Sequence, residues 1–393
     1  MSVTDTERMK RVGLNGDEAV AYAAKHANVD VVAAYPITPQ TIMVEKISEF
    51  VYNGELDAEF IAVESEHSAL SAAVGASLAG ARVFTATASQ GLALMYEILY
   101  IASAMRTPIV MALGNRAFSA PINIHCSHDD AYAVRDTGWL QFFAENVQEA
   151  YDLVLMAFKI SESPEVLTPS IVNLDGFILT HCIEPLYIWN ERYIQEFLPD
   201  RKPVEAIDYR NPKTYGPLAL MDYYMLIKRQ QYEVVRRARA TIDRVFDEYS
   251  RWSGRRYRAI KTYMMDDAEY AFVVLGSTAG TMRSMVDKWR GMGRKVGLVS
   301  LTLYRPFPED DLRRILSGVE AIGVMDRSHT YGGPGAQLYQ EIASTLYSLD
   351  EHPRLLNIIY GLGGKDFGPE DAEAAYKYLM RPDVREVWLG VEG

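Results

Sequence analysis

Two α/β units, each built on a parallel sheet, are predicted from three features of the sequence. Apolar runs of strand length, at residues 30–34, 59–63, 82–87 and 108–113, alternate with segments of helix length. That alternation implies a parallel sheet covered on both faces. Polar loops follow the apolar runs, above all YPITPQT at 35–41 and ESEHSALSAA at 64–73, and the carboxyl ends of strands are where open α/β sheets bind ligands. The alternation then breaks over 183–215, where Pro185, Pro199, Pro203 and Pro212 interrupt it, and resumes in the last third of the chain. The units are placed at 1–245 and 262–393.

Taken in order, a first helix is expected over 15–27, with Asn15 as N-cap, acids in the first turn and alanines beyond. After strand 30–34, Pro39 suits the first turn of a helix running to Tyr52, with Ile42, Ile47, Phe50 and Val51 as its apolar contacts. Strand 59–63 leads into a helix from Glu66 to Gly80, rich in Ala, Ser and Gly. Strand 82–87 is followed by a loop at 88–91 and a helix through 105. Strand 108–113 ends in Gly114-Asn115-Arg116, and the irregular stretch after it is too long for an ordinary connection, which marks a functional loop. Strand 141–144, helix 148–160 and strand 170–174 complete the first unit.

Residues 183–215 read as a meandering connector and 217–250 as one long helix or two. Arginine is dense over 236–258, interleaved with Tyr249, Trp252 and Tyr257. A solvated or subunit-facing helix fits this stretch better than a nucleic-acid surface, given a net charge of -12. In the second unit, strands at 271–275, 295–301, 321–325 and 355–359 alternate with helices, on short connections.

Composition excludes several classes. An apolar share of 49% and a charged share of 23% are those of a globular protein. The acidic balance argues against nucleic acid and anionic membranes, and no apolar run reaches the ~18 residues of a membrane span. The first residues, MSVTDTERMKRVG, lack a signal-peptide pattern, so a cytoplasmic protein is expected. The two cysteines, Cys126 and Cys182, form no Cys-x-x-Cys. This chain therefore holds no iron–sulfur cluster or structural zinc by itself, and both thiols are expected to be buried.

Four segments invite chemistry. The glycines of 276–280 follow a strand and open a helix, but match no dinucleotide or Walker pattern; a tight turn is the plainer reading. The glycines of 361–364 allow close approach of another backbone, or flexibility at a subunit contact. His125, His128, Asp129 and Asp130 offer four potential cation ligands within six residues, with no third element to fix their geometry. Glu66 lies directly after a strand at the mouth of a helix. It either favours the helix dipole, worth roughly 0.3–1 kcal/mol, or is a desolvated carboxylate facing a ligand.

YPITPQT, VESEHSALSAAVGASLAGARVFTATASQGLALM, GNRAFSAPINIHCSHDD with RDTGW, YRPFPEDDL and GLGGKD together resemble the α subunit of the pyruvate:ferredoxin oxidoreductase (pyruvate synthase) family over nearly the whole chain. The resemblance implies a thiamine-diphosphate-binding, pyrimidine-type domain with a helical connector, followed by a domain similar to the transketolase C-terminal domain. It implies that Glu66 bonds the ring nitrogen N1′ of the cofactor's aminopyrimidine, with Pro36 near that ring. It also implies that the Thr38 hydroxyl faces the 2-oxoacid and that Arg116 meets the substrate carboxylate. The resemblance further implies that the diphosphate and Mg2+ sit on a partner β subunit, at a Gly-Asp-Gly site that this sequence does not contain. The [4Fe-4S] clusters likewise belong to partners, the set being β, γ and δ subunits, with ferredoxin and coenzyme A. No metal is expected on this chain. The intact Thr38 and Arg116 and the INI run fit pyruvate best; 2-oxoisovalerate, 2-oxoglutarate and oxalate are the alternatives, and a non-catalytic scaffold chain is the reading from another class.

Overall fold

The computed structural model describes residues 8–391; the outermost residues of both expected units, 1–7 and 392–393, lie outside the described residues. The chain begins with β1 (Met9–Leu14) and α1 (Gly16–His26). Asn15 caps α1 reciprocally: its side chain accepts from the Glu18 N–H at 2.9 Å, and the Glu18 carboxylate accepts from the Asn15 N–H at 3.1 Å. There follow β2 (Val31–Ala34), α2 (Thr41–Tyr52), β3 (Glu59–Ala62), α3 (Glu66–Leu78), β4 (Val83–Thr87), α4 (Ser89–Leu94), α5 (Tyr96–Ala104), β5 (Val110–Asn115), α6 (Asp129–Ala133), β6 (Leu140–Phe143), α7 (Val147–Ser161) and β7 (Ser170–Asp175).

The connecting region holds β8 (Glu184–Trp189), α8 (Glu191–Phe197) and the 33-residue α9 (Met221–Ser253). The last third runs through β9 (Ile260–Tyr263), β10 (Tyr270–Leu275), α10 (Thr278–Gly291), β11 (Val296–Leu301), β12 (Leu303–Arg305), α11 (Glu309–Leu316), β13 (Ala321–Asp326), α12 (Gln337–Leu346), β14 (Arg354–Ile359), α13 (Pro369–Leu379) and β15 (Glu386–Trp388).

These strands form a seven-stranded sheet in the order β12-β6-β7-β5-β4-β2-β3 and a six-stranded sheet in the order β15-β14-β13-β10-β11-β9. All neighbours are parallel except the edge strands β12 and β9, which run antiparallel. β4, β5 and β7 are buried at every position, as central strands with helices on both faces must be. β1 and β8 make a separate antiparallel pair.

Several elements depart from expectation. α2 starts at Thr41 rather than Pro39; the Pro39 ring instead packs where side chains on Gly114 and Gly176 would stand. The expected loop at 88–91 is already helical, because an acceptor from elsewhere in the chain, Asp130, takes the Ser89 N–H and starts α4. The connector 183–215 contains β8 and α8; Pro185 is tolerated because β8 pairs on one side only. The arginine-rich helix is not simply solvated. Its second half buries Ile242, Val245, Phe246 and Tyr249, and Arg255 beyond it forks onto the fully buried Asp152 of α7. Cys126 is buried as expected, whereas Cys182 is exposed. No helix among the described residues is long and apolar enough to cross a membrane.

One carboxylate joins the two sheets. Asp175, at the carboxyl end of β7, bonds His128 Nε2 at 2.8 Å and accepts from the N–H (3.1 Å) and hydroxyl (2.5 Å) of Ser277. Arg327 Nε lies 3.7 Å away. Gly276 is in the left-handed region at φ 68, and a Cβ there would come within 2.6 Å of this carboxylate, so only glycine fits. The turn at 276–280 thus holds an internal carboxylate. Burial alone would raise the Asp175 pKa; the neighbouring His128, Arg327 and Ser277 outweigh it and hold the group well below the usual carboxylate range. A carboxyl depressed in the folded state contributes stability above its unfolded pKa of about 4, and that contribution fades as pH falls below it. Asp175→Asn is expected to lower unfolding stability by about 3–5 kcal/mol at neutral pH. The gap to the unsubstituted chain should narrow on acidification below about pH 4. Urea denaturation across pH checks both; a gap independent of pH would contradict the assignment.

Candidate active site

The carboxyl edge of the seven-stranded sheet carries the expected site residues. β2 runs into the loop 35–40, whose shape is set from within. Gln40 is fully buried, and its Nε2 donates to the carbonyls of Tyr35 (2.9 Å) and Ala86 (3.3 Å). Pro36 is exposed on this loop and Thr38 is half-buried. Arg116, leaving β5, brings its guanidinium to the same loop: Nη1 donates to the Thr38 carbonyl at 3.0 Å and Nε to the Asn123 carbonyl at 3.1 Å. No bond from the described residues reaches Nη2. Arg116 is 7% exposed, and burial draws its pKa down from the ordinary arginine value. Thr38 and Arg116 are therefore brought together, with part of a donor fork left over for an anion.

Glu66 opens α3, capped by Ser65, whose hydroxyl accepts from the Ser68 N–H at 3.3 Å. The side chain is 7% exposed, and no hydrogen bond from the described residues reaches its carboxylate. Gly91 of α4 faces it: a Cβ at that position would lie 2.6 Å from Glu66 Oε1 and would also strike Thr87 Oγ1. The Thr87 hydroxyl and both polar atoms of the Gln90 amide are buried without partners. Buried polar groups ordinarily find partners within the fold. A carboxylate without an internal partner at the carboxyl edge of the sheet suits a ligand that carries a hydrogen-bond donor.

The long loop between Arg116 and Gly138 is held rather than free. The Gly364 N–H donates to the Cys126 carbonyl at 2.8 Å, the Gly363 N–H to Ser127 Oγ at 3.1 Å, and Asn123 Nδ2 to the Gly363 carbonyl at 3.1 Å. Side chains on Gly363 or Gly364 would collide with Asn123 or His125. These glycines therefore serve close approach within the chain, not flexibility at a subunit contact. The four candidate cation ligands diverge. His128 turns to Asp175, Asp129 accepts from Ser328 Oγ at 2.5 Å, Asp130 points back toward Arg116, and His125 packs against Phe177 with the rings tilted and their centroids 4.5 Å apart.

A different trio, Cys126, His128 and Asp175, brings donor atoms within 4.8 Å of one another. The Asp175 oxygens are already taken by His128 and Ser277, the Arg327 guanidinium supplies the local positive charge, and burial pushes the Cys126 thiol up. That chemistry is an internal ion-pair network and does not favour a cation. Sequence reasoning missed Gln40 and Gly91, whose partners lie far along the chain, and read Asp130 as a potential cation ligand rather than as an acceptor for backbone amides. Asp130 is pushed up to about 6 by burial, against the bonds from Asn115, Arg116, Ser89 and Ala131.

A parallel α/β sheet of this kind, with polar loops at its carboxyl edge, is the architecture that a family model describes as thiamine-diphosphate-binding. Residues 22–247 match the family model described as pyruvate flavodoxin/ferredoxin oxidoreductase, thiamine diphosphate-binding, and residues 268–372 match pyruvate:ferredoxin oxidoreductase core domain II. The chain belongs to the pyruvate:ferredoxin oxidoreductase family. It is 50% identical to pyruvate synthase subunit PorA of Pyrococcus horikoshii, covering 97% of this chain and 98% of that one. It is 44% identical to ketoisovalerate oxidoreductase subunit VorA of the same organism, over 92% and 91%. Among solved structures, 2-oxoglutarate:ferredoxin oxidoreductase from Magnetococcus marinus shares the fold at a TM-score of 0.73 and 20% identity, covering 94% of this chain and 65% of that one. The fold is thus a pyrimidine-type sheet followed by a transketolase C-terminal-like α/β sheet.

The packing at Gly91 is testable without substrate. Gly91→Ala is expected to destabilise the chain by about 1–3 kcal/mol through overpacking against Glu66 and Thr87. Gly75→Ala, in α3 with open space around it, is expected to stabilise by about 0.5–1 kcal/mol. Urea midpoints of the two variants should move in opposite directions; equal shifts would refute the contact.

Proposed function

We propose that the chain is the α-type subunit of a multi-subunit oxidoreductase that decarboxylates pyruvate with coenzyme A, giving acetyl-CoA and CO2 and reducing ferredoxin. The observation carrying this reading is the pairing of an open, buried Glu66 with a partly free Arg116 fork at one sheet edge. In an active enzyme both must face ligand; a non-catalytic scaffold has no need of either. Near-full-length likeness to a pyruvate synthase subunit favours pyruvate. The likeness to a ketoisovalerate enzyme favours 2-oxoisovalerate as the second substrate to assay.

Bound thiamine diphosphate supplies the carbon nucleophile and the electron sink for decarboxylation. Of this chain's residues, Glu66 would hold the ring nitrogen N1′ and carry the proton exchanged there. Pro36 would border the ring. Thr38 would orient the oxoacid carbonyl with its hydroxyl, and Arg116 would fix the carboxylate through the donors that Thr38 and Asn123 leave over. The diphosphate, its Mg2+ and the [4Fe-4S] clusters are assigned to partner β, γ and δ subunits, since this sequence has no Gly-Asp-Gly and no Cys-x-x-Cys. The pyrimidine-side domain is placed at 1–245 and the transketolase-like domain at 262–393, in a cytoplasmic complex.

In the assembled complex, Glu66→Gln is expected to slow C2 proton exchange of bound thiamine diphosphate roughly 10²–10⁴-fold. Exchange at the unsubstituted rate, followed by NMR, would remove Glu66 from the mechanism. The purified chain with thiamine diphosphate and Mg2+ is expected to reduce no low-potential acceptor from pyruvate. Turnover by the chain alone would overturn the shared site, and turnover of the complex indifferent to Arg116→Ala would favour the scaffold reading.

A further inference from the structure

Asp130 touches neither solvent nor any open side of the site; it is fully buried. Its two oxygens nevertheless bind both walls of that site. Oδ1 accepts from Asn115 Nδ2 at 3.0 Å and from the Ala131 N–H at 2.8 Å. Oδ2 accepts from the Arg116 N–H at 2.9 Å and from the Ser89 N–H at 3.1 Å. One oxygen atom therefore joins the end of β5 to the start of α4.

Each of those two amides leads to a functional group. Arg116 carries the guanidinium that meets the Thr38 carbonyl. Ser89 begins the turn whose Gly91 abuts Glu66 and Thr87. α4 has no side-chain cap of its own, since Ala88 occupies the cap position. Ser89 itself sits in the left-handed region at φ 38, a conformation that persists only where surrounding bonds hold it. A second bond runs in parallel, from Ser89 Oγ to the Ala117 carbonyl at 2.8 Å.

We propose that Asp130 is a positioning residue that sets the spacing between the cofactor-facing wall at Glu66 and the substrate-facing Arg116. The proposal rests on the roles given to Glu66 and Arg116 above. Asp130 binds no ligand; through the shared oxygen, a shift of either wall is transmitted to the other. Its isosteric amide replaces one oxygen by an NH2, which in either orientation faces two N–H donors and gives up two of the four bonds.

The test uses the assembled complex carrying Asp130→Asn, Arg116→Ala and both together. Steady-state kinetics give KM and kcat for the 2-oxoacid, and calorimetric titration gives thiamine diphosphate affinity. Asp130→Asn is expected to raise KM about tenfold and to weaken thiamine diphosphate binding about threefold or more, as misplacement of both walls requires. In the double variant KM should stay within about twofold of Arg116→Ala alone, whereas independent sites would multiply. Multiplied effects, or an unchanged KM and cofactor affinity in Asp130→Asn, would overturn the proposal. If Asp130→Asn does not assemble, Asp130→Glu, which keeps the carboxylate but displaces its oxygens by one methylene, carries the same comparison with a KM rise of about two- to fivefold, and no rise overturns it. An unchanged KM in Arg116→Ala would instead sink the substrate role of Arg116. Cofactor affinity in Asp130→Asn then still decides whether Asp130 holds the Glu66 wall.

Discussion

The carboxylate of Asp175 is the contact on which the arrangement of both sheets depends. It ends the central strand β7 of one sheet and takes the first donors of α10 in the other, with His128 and Arg327 completing its surroundings. A charge taken out of water on this scale is tolerated only when its partners are fixed. The partners come from the long loop, from the turn after β10 and from the residue after β13, so three segments distant in sequence are brought into register by one group. Tyr132 reinforces the junction, donating its hydroxyl to Asp326 at 2.5 Å.

The site inherits its rigidity from that junction. The loop after Arg116 has few regular elements, yet its backbone is bonded to the turn after β14 at Cys126 and Ser127 and to the Arg327 carbonyl through the His128 N–H at 2.9 Å. Asn123, fastened to Gly363, in turn accepts from Arg116 Nε. The second half of the chain therefore reaches Arg116 through two hydrogen bonds in series.

What was legible in the sequence was local. The α1 cap is written in two residues three apart, and β4, β5 and β7 show as short, largely apolar stretches that end in polar residues, because central parallel strands are buried on both faces. β1, β9, β12 and β15 were not legible: β9, β12 and β15 are short edge strands, and β1 is defined by its pairing with β8, far along the chain. The helical start of α4 was hidden because its cap, Asp130, arrives from 41 residues away. Thr38, Glu66 and Arg116 could be named from family resemblance, but their surroundings could not. The Arg116–Thr38 contact spans 78 positions, and Gly91 reads as an ordinary helix glycine until Glu66 is seen beside it. The histidine and acid cluster at 125–130 misled in the opposite sense, because residues adjacent in a loop point to separate partners.

β12 has a consequence for how the molecule comes into being. This three-residue strand, supplied by the second half of the chain, closes the exposed edge of β6 in the first sheet. During synthesis β6 emerges long before β12, and the partners of Asp175 in the second half, Ser277 and Arg327, emerge late as well. A nascent chain released after α9 would display an unpaired strand edge of Leu140–Phe143 together with an Asp175 carboxylate left with His128 alone of its partners, and an unpaired edge is the kind of surface that templates aggregation. The two sheets are thus separate as architecture but joint as a folding unit, and the last strand of the first sheet acts as its closing stitch.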